Sequence, residues 1–244
     1  MRLSRIYIEQ PLITGEAIDV LTDKAHYIRN VLRLKKGHAL LLFNGLEPVE
    51  YRAEIETLDK SSVRINILER IEKDTDSCLH ITLIQGMGKN EAVDLLVQKA
   101  TELGVARILL FNAEHTQFPL KGNRSDKKMA HWRGIAESAC EQCGRNRLPE
   151  IHCFTNLDSC IQALEPANRL RLDFDAAPLN ELSVNPGLSD FQVLIGPEGG
   201  LSDKETVLSR NAGFAGCTMG PRVLRMETAA LTISALLQHR FGDI

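Results

Sequence analysis

The chain of 244 residues lacks the features that would direct it into or across a membrane. No apolar run approaches the roughly 18 residues of a membrane-spanning helix. The first residues, MRLSRIYIEQPL, lack the continuous apolar core of a secretory signal peptide. Hydrophobic residues make up 43% of the chain and charged residues 25%, which is enough to form a real core. We therefore expect a folded cytoplasmic protein of one or two domains.

The cysteine pattern of a metal site or a disulfide framework is also missing. The six cysteines include one close pair, Cys140 and Cys143, and neither a second C-x-x-C nor an H-x3–5-H motif accompanies it. In a cytosolic chain of this size, free thiols are expected. We predict no metal site and interpret the pair as two small residues on one helix face.

The sequence has no overall excess of positive charge, since its net charge is −3. Two segments are nevertheless locally basic. Arg29, Arg33, Lys35 and Lys36 lie close together with no acidic residue between them, and residues 121–147 carry a local positive excess. Such patches indicate a polyanion bound at defined places, although a solvated charged surface explains them equally well.

Two regions of the chain differ in their hydrophobic pattern. Residues 1–72 contain short alternating runs separated by turn signals such as Asn44-Gly45, which predicts a small β-barrel of five or six strands. One helix is predicted over Asp23–Leu34, with Asp23 as its cap. After the polar stretch EKDTDS, residues 73–244 alternate buried strands with helices. This second pattern predicts an α/β domain with a parallel sheet covered on both faces.

Two strands of the second region end in glycine-proline loops, Gly196–Gly200 and Gly220–Arg225, and a helix begins after each loop. Ser202 and Glu205 have the spacing of a capping box. Because ligands of open parallel sheets bind at the carboxyl ends of the strands, the two loops predict a ligand held by main-chain groups. The alternative is that both loops are tight turns within the core.

The loops lack the sequence motifs that bind phosphate. Neither is a Walker A motif and neither is G-x-G-x-x-G. Glu198 would repel a phosphate at close range. A ligand without phosphate and with positive charge fits better, and S-adenosylmethionine, which carries a cationic sulfonium, is such a ligand.

LIGPEGGLS and MGPRVLRMETAAL together resemble the knotted SPOUT methyltransferases, and specifically the family that forms 3-methyluridine in 16S ribosomal RNA of the small subunit. HYIRNVLRLKKGH, KATELGV and RGIAESACEQCGRNRLP are similar to further motifs of that family, so the resemblance extends over essentially the whole chain. One segment departs from it. AEHTQF (113–118) stands where the family usually carries an Arg-Ser type sequence, which leaves the role of this loop open.

The resemblance implies a PUA-like, RNA-binding β-barrel at 1–72 and, at 73–244, a SPOUT-type α/β domain with a C-terminal trefoil knot. It further implies that the knot binds S-adenosylmethionine, with adenine on the main chain around Leu224, and that the protein is a homodimer. The implied cofactor-binding residues are Leu172, Asp173, Ile195, Gly196, Pro197, Gly199, Gly200, Met219, Gly220, Leu224, Thr228 and Ala229.

Methylation at N3 of uridine requires the loss of the N3 proton and stabilisation of the resulting anion. We assign to Arg225 the stabilisation of the uracil oxyanion, because a guanidinium presents a fixed set of donors. Glu198 or Glu227 would accept the N3 proton or orient the cofactor. The alternatives are a structural ion pair for Arg225 and stabilisation of a helix N-terminus for Glu227.

The expected partner is 16S ribosomal RNA within the small ribosomal subunit, bound through phosphate contacts. The candidate RNA-binding residues are Arg5, His26, Arg29, Arg33, Lys35, Lys36, Lys89, Arg145 and Arg147.

Three other functions remain open. The protein could bind RNA without catalysis, or it could be a knotted methyltransferase that acts on a ribose 2′-OH or another base of ribosomal or transfer RNA. A nucleotide-dependent oxidoreductase is disfavoured because no dinucleotide fingerprint is present.

Overall fold

The computed structural model describes residues 3–120, 122, 124–181, 185 and 189–244. The chain forms two compact units. The first comprises the residues up to Asp76 together with Cys140–Leu148, and the second comprises Ser77–Ala139 and Pro149–Ile244. The first unit thus ends at Asp76 rather than at 72, and it also takes in a segment that the sequence pattern placed in a continuous second domain.

The first unit is built on a five-stranded sheet with the order β1-β3-β4-β5-β2. β1 is parallel to β3, and the other neighbours are antiparallel. Among the strands described, β1 and β2 are the two edges and do not pair with each other, so the hydrogen-bonded ladder does not close into the expected barrel. The strands are β1 Arg5–Tyr7, β2 Ala17–Leu21, β3 Ala39–Phe43, β4 Val49–Leu58 and β5 Ser62–Glu72.

The alternating pattern of β4 and β5 explains how this sheet forms its core. Ile55 lies opposite Ile65 across the antiparallel ladder, and both side chains are fully buried. Successive residues of a strand point to opposite faces of the sheet. Every second residue of β4 and β5 therefore lies on the same face as Ile55 and Ile65, and the apolar residues are concentrated at these positions. The sheet therefore has one apolar face, as the sequence predicts.

The helix predicted over Asp23–Leu34 is shorter than expected. α1 covers Thr22–His26 and continues as a π-helical turn over Tyr27–Val31. The residue before the helix, Leu21, makes no side-chain cap, so Asp23 lies in the first turn rather than at the cap. The helix ends early because Arg33 adopts a φ of 54°, in the left-handed region that a helix cannot include.

The second unit contains the parallel sheet that the sequence predicts. All six strands are parallel, in the order β11-β9-β10-β6-β7-β8. The strands are β6 His80–Gly86, β7 Arg107–Phe111, β8 Glu150–Phe154, β9 Asn168–Pro178, β10 Asp190–Ile195 and β11 Ala215–Thr218. The helices are α2 Asn90–Glu102, α3 Arg124–Cys143, α4 Leu157–Ile161, α5 Asp203–Asn211 and α6 Met226–Phe241.

Helices cover both faces of this sheet. Alternate residues of the strands enter two separate apolar clusters, as shown by Leu83 in one and Ile84 in the other. The first cluster includes side chains of α2, α3 and α6, and the second includes side chains of α4 and α5. Such double coverage explains why the strands read as nearly continuous apolar runs. Within the described part of the chain, no helix is long and apolar enough to cross a membrane.

β9 is interrupted along its edge with β11. Leu170 and Arg171 pair with Ala215 and Gly216, and the ladder then resumes at Ala177. The intervening residues 172–176 leave the ladder. This bulge brings the middle of β9 to the same edge of the sheet as the ends of β10 and β11, and such bulges commonly redirect side chains beside a functional site.

Candidate active site

A cavity of about 510 Å³ lies between the bulge in the middle of β9 and the carboxyl ends of β10 and β11. This volume falls within the usual range for small-molecule sites. Three segments form the wall: the bulge that begins at Arg171, the loop after β10, and the chain from Cys217 into the first turn of α6. The location agrees with the rule that ligands of open α/β sheets bind beyond the carboxyl ends of the strands.

The cavity wall contains ten of the twelve residues that the sequence proposes as cofactor contacts. The ten are Leu172, Asp173, Ile195, Gly196, Pro197, Gly200, Met219, Gly220, Leu224 and Ala229.

Gly199 and Thr228 are not part of the wall. Met226 and Ala229 line the cavity from α6. Because residues three apart share a helix face, the intervening positions, including Thr228, turn away from it. Gly199 is exposed at the top of its loop, and its carbonyl oxygen lies 3.2 Å from Nδ1 of His115. The cavity wall therefore gives no support to these two residues as cofactor contacts.

The three proposed catalytic residues fall in different surroundings. Arg225 and Glu198 line the cavity and are exposed to solvent, whereas Glu227 does not line it. Oε1 of Glu198 accepts the backbone N–H of Lys89 at 3.2 Å, at the start of α2. This bond satisfies one of the free N–H groups of the helix terminus. Glu198 is therefore held in place by main chain from a neighbouring strand end.

A buried arginine supports the wall from behind and was not predicted from the sequence. Arg171 is only 4% exposed. Its Nη2 donates to Oδ2 of Asp173 at 2.7 Å, and its Nη1 donates to Oγ of Ser209 at 3.0 Å. The hydrogen bond from Arg171 lowers the pKa of Asp173 below its usual value. The cavity therefore contains an ionised carboxylate in a fixed orientation.

Eight further wall residues were not named individually as contacts. Arg222 and Val223 lie within the predicted loop Gly220–Arg225, whereas the others lie outside the two predicted loops: Phe174, Leu201, Thr206, Cys217, Thr218 and Met226. Arg171 lies between two leucines in the sequence, and a charged residue that is buried within a strand requires a partner. Phe174 is an apolar side chain that is 68% exposed, and no pattern in the sequence distinguishes it.

The end of β6 supports the glycine loop through close main-chain packing. A Cβ placed on Gly86 would lie 2.6 Å from Cδ of Pro197, so only glycine fits at this position. The side chain of Gln85 is fully buried, and its Nε2 donates to the carbonyl oxygen of Gly196 at 3.1 Å. The loop is thus fixed from the neighbouring strand, as a preorganised binding loop requires.

The loop over 113–118, which departs from the family pattern, also contacts the glycine loop. The N–H of Glu114 donates to Oε1 of Glu205 at 3.1 Å, and Oγ1 of Thr116 donates to the carbonyl oxygen of Met87 at 3.3 Å. Glu205 and Ser202 form the predicted capping box of α5. The strand ends of β6, β7 and β10 are therefore tied together on this side of the cavity.

Several candidate RNA-binding side chains lie on the surface. His26, Arg33, Lys35 and Lys36 are exposed in the first unit. Arg29 is partly buried, and its Nη1 donates to the carbonyl oxygens of Asp59 and Lys60 at 3.1 and 2.9 Å, which leaves it less able to reach a phosphate. Lys89 and Arg147 are also exposed.

Two candidate RNA contacts are corrected because they are buried structural groups of the first unit. Arg5 is 6% exposed, forms an ion pair with Glu50, and donates to Oδ1 of Asn146 at 2.7 Å. Burial lowers its pKa. Arg145 is 7% exposed and its Nε donates to Oδ1 of Asp76 at 3.2 Å. Neither side chain is available to RNA.

The cysteine pair forms no shared surface site. Cys140 is buried, and burial raises the pKa of its thiol to about 12, whereas Cys143 is exposed. A thiol with so high a pKa carries almost no thiolate at neutral pH and is a poor metal ligand.

Comparison with known proteins decides the family. The model of an RNA methyltransferase domain matches residues 75–238, and that of an RNA methyltransferase PUA domain matches residues 22–68. The chain belongs to the RNA methyltransferase family. The matched domain includes the whole cavity wall, so the cavity belongs to the methyltransferase part of the chain.

Relatives of this methyltransferase match over their full length. The ribosomal RNA small subunit methyltransferase E of Buchnera aphidicola (strain Sg) is 36% identical, covering 100% of this chain and 98% of that protein. The protein of the same name from Bacillus subtilis is 27% identical, covering 98% and 97%.

Two solved structures share the fold of the methyltransferase. A methyltransferase of Legionella pneumophila in complex with S-adenosylmethionine has a TM-score of 0.94 and 36% identity, covering 100% of both chains. The ribosomal RNA small subunit methyltransferase E of Neisseria gonorrhoeae, bound to S-adenosylmethionine, has a TM-score of 0.90 and 30% identity, also over 100% of both chains. Both structures agree with the α/β fold described above.

Proposed function

We propose that this protein methylates N3 of a specific uridine in 16S ribosomal RNA of the small subunit, with S-adenosylmethionine as methyl donor. The observation that carries the proposal is the cavity between the bulge of β9 and the ends of β10 and β11, which is lined by two glycine-proline loops and contains carboxylates. Membership of the RNA methyltransferase family supports the proposal, because relatives that match over their full length are small-subunit ribosomal RNA methyltransferases. A cytoplasmic location is part of the proposal, because the proposed substrate is ribosomal RNA.

The cavity suits the chemical character of S-adenosylmethionine. Main chain of the glycine loops and apolar side chains such as Leu172, Ile195 and Leu224 offer a surface for the uncharged adenosine. Asp173 and Glu198 offer negative charge to the cationic part of the cofactor. When bound, the cofactor supplies an activated methyl group on a sulfonium.

The charged residues of the wall have separate proposed tasks. Arg225 stabilises the negative charge that develops on the uracil oxygens, since its guanidinium is exposed at the cavity and can donate two hydrogen bonds. Glu198, held by the N–H of Lys89, orients the cofactor. Glu227 lies outside the wall in the first turn of α6, where it stabilises the positive end of the helix dipole.

The first unit is proposed to position the RNA. Arg33, Lys35 and Lys36 are exposed side chains that can contact phosphates, and Lys89 offers a similar contact beside Glu198 in the second unit. Phosphate contacts orient an RNA without reading its sequence. His26 and Arg147 are further exposed candidates.

The trefoil knot and the homodimer also belong to the proposal. β9 pairs with both β10 and β11, and the bulge of β9 lines one cavity together with the segments that follow β10 and β11, which is compatible with a knotted cofactor site. Light scattering on the purified protein tests the dimer. We expect a mass of twice 27.2 kDa, and a monomer would contradict this part of the proposal.

Mass spectrometry of 16S ribosomal RNA from cells with and without the gene tests the activity. We expect one 3-methyluridine to be lost with the gene and restored by the wild-type protein. Arg225→Ala is expected to restore little of it while calorimetry shows that S-adenosylmethionine still binds. Arg210→Ala, which removes an exposed arginine of α5 outside the cavity wall, is the matched control and is expected to restore the modification fully.

Other outcomes of the same experiments identify the alternatives. If cells without the gene instead lack a ribose methyl group, or a methyl group on another base, then that atom and not N3 of uridine is the target. No heat of binding with S-adenosylmethionine would indicate an RNA-binding protein without catalysis. Normal turnover in Arg225→Ala would contradict the proposal that Arg225 stabilises the charge on the uracil oxygens.

A further inference from the structure

His115 lies over the top of the glycine loop. Its Nδ1 is 3.2 Å from the carbonyl oxygen of Gly199, and a Cβ built on Gly199 would stand 3.0 Å from Cβ of His115. The side chain is exposed, and so are Gly199 and Glu198 beside it. Since Glu198 and Gly200 line the cavity and Gly199 does not, His115 contacts the outer side of the loop whose inner side forms the cavity wall.

The hydrogen bond to Gly199 defines the tautomer of the imidazole. A carbonyl oxygen can only accept, so Nδ1 carries the hydrogen and donates it. In the neutral ring, Nε2 then carries a lone pair and no proton. A histidine oriented by one hydrogen bond and exposing the opposite nitrogen has the arrangement of a general base.

Hydrogen bonds fix the residues immediately before and after His115 in the sequence. The N–H of Glu114 is bonded to Glu205, and the hydroxyl of Thr116 is bonded to the carbonyl of Met87. A proton acceptor needs such a fixed position, because proton transfer requires hydrogen-bond contact with the reacting atom. The loop thus presents Nε2 in a defined direction.

The carboxylates near the cavity already make other contacts or lie outside its wall. Glu198 accepts the N–H of Lys89, and Asp173 is paired with Arg171. Glu227 is outside the wall. N3 of uridine carries a proton that must be removed for methylation, so a proton acceptor at the mouth of the cavity is needed.

We propose that His115 accepts the N3 proton of the target uridine through Nε2. The N3–H bond breaks and the proton passes to Nε2, while its electron pair forms the new bond from N3 to the methyl carbon. The C–S bond of the donor breaks with its electron pair on sulfur, which becomes a neutral thioether. The inference rests on the proposed function, because it names the residue that performs one of its steps.

The charged groups around His115 are mainly acidic. Glu114 precedes it in its own loop, and Glu198 and Glu205 face it from the loop after β10 and the start of α5. Lys89 adds one positive side chain at the start of α2.

His115→Asn separates the two functions of the imidazole. The amide nitrogen of asparagine can replace Nδ1 in the bond to Gly199, but no acceptor remains at the position of Nε2. With small-subunit RNA as substrate, we expect the rate of methyl transfer at neutral pH to fall by about 10²-fold or more. The dissociation constant of S-adenosylmethionine, measured by calorimetry, is expected to stay within about twofold of the wild-type value.

The pH dependence distinguishes a proton acceptor from a residue that only positions the loop. Toward about pH 9.5 more of the uridine is already deprotonated at N3, so the deficit of His115→Asn is expected to shrink. Gln117→Ala, in the same loop and also exposed, is the control and is expected to match the wild type throughout. A deficit that is equal at every pH, or a wild-type rate in His115→Asn, overturns the inference.

Nitrogen NMR tests the tautomer without any turnover. In long-range ¹H–¹⁵N spectra of the labelled protein, with His115→Asn used for assignment, we expect a protonated Nδ1 and an unprotonated Nε2. The opposite tautomer overturns the inference even if activity behaves as expected. If the wild-type protein forms no 3-methyluridine, the proposed function fails, which is a separate result from a wild-type rate in His115→Asn.

Discussion

Nη2 of Arg171 lies 2.7 Å from Oδ2 of Asp173, where β9 leaves its ladder with β11. Arg171 is buried, whereas the side chain of Asp173 remains 35% exposed at the cavity. One ion pair thus performs two tasks. It neutralises a charge inside the α/β unit, and it fixes a carboxylate at the wall of the proposed cofactor site.

Asp173→Asn is expected to reduce both stability and cofactor affinity. The free energy of unfolding should fall by about 1–2 kcal/mol, a modest value because solvent screens the exposed carboxylate. The pKa of Asp173 is lowered in the folded state, so its contribution is complete above the unfolded pKa of about 3.9 and is lost as the pH falls through the lower folded value. Denaturant unfolding at several pH values measures this difference.

Asp175→Asn is the control for this prediction, because Asp175 is exposed two residues further along the same bulge. Its variant is expected to unfold like the wild type at every pH. A stability difference between wild type and Asp173→Asn that persists unchanged at about pH 2 would contradict the assigned role of the ion pair.

Gly86→Ala is expected to weaken S-adenosylmethionine binding. The added Cβ would lie 2.6 and 2.7 Å from Cδ and N of Pro197, and the main-chain atom cannot move without shifting the glycine loop. We expect an increase in the dissociation constant of about tenfold or more, measured by calorimetry.

The matched control for Gly86→Ala is Gly134→Ala in α3, where an added Cβ meets no atom within 4 Å. That variant is expected to gain about 0.5–1 kcal/mol of stability, since glycine is unfavourable within a helix, and to bind the cofactor normally. Equal affinities in the two variants would show that the contact with Pro197 does not shape the site.

The parallel sheet and most of the cavity wall could be predicted from the sequence, because they depend on local patterns. Two apolar strands run into the loops Gly196–Gly200 and Gly220–Arg225, and these loops mark the edge of the sheet at which the strands end. The residues of the first turn, such as the capping box of α5, predict the helix that follows each loop. The resemblance added Leu172 and Asp173, which no local motif indicates. Met226 and Ala229 share the face of α6 that lines the cavity, a face that helical periodicity separates from Thr228.

Long-range contacts account for what the sequence did not show. The burial of Arg5 depends on Glu50 and Asn146, which lie 45 and 141 residues away. The place of Cys140–Leu148 in the first unit likewise depends on pairing with distant residues, such as Arg145 with Asp76. His115 gains its significance only from its contact with Gly199, 84 residues later. No periodicity or motif encodes such pairs.

Arg5→Ala is expected to destabilise the first unit rather than to alter RNA binding specifically. Removing one partner of a buried ion pair typically costs about 3–5 kcal/mol, because the other charge is left without compensation. Here Lys73, whose Nζ lies 3.0 Å from Oε2 of Glu50, retains part of that compensation. Arg64→Ala, which breaks exposed pairs with Asp19 and Glu56, is the control and is expected to unfold like the wild type in a denaturant titration.

Combined replacement of Arg33, Lys35 and Lys36 by glutamine is expected to weaken RNA binding and to reduce its salt dependence. Each phosphate contact to single-stranded RNA contributes about 0.7 to the slope of log K against log salt concentration, so the loss of three contacts should lower the slope by about two. Binding to small-subunit RNA over a series of salt concentrations measures this slope. Arg70→Gln is the matched control, because this exposed arginine is already paired with Glu47 and Glu72. If the triple variant and Arg70→Gln share the wild-type slope, the cluster around Arg33 does not contact RNA, and the phosphate contacts must be sought on the second unit, beginning with Lys89.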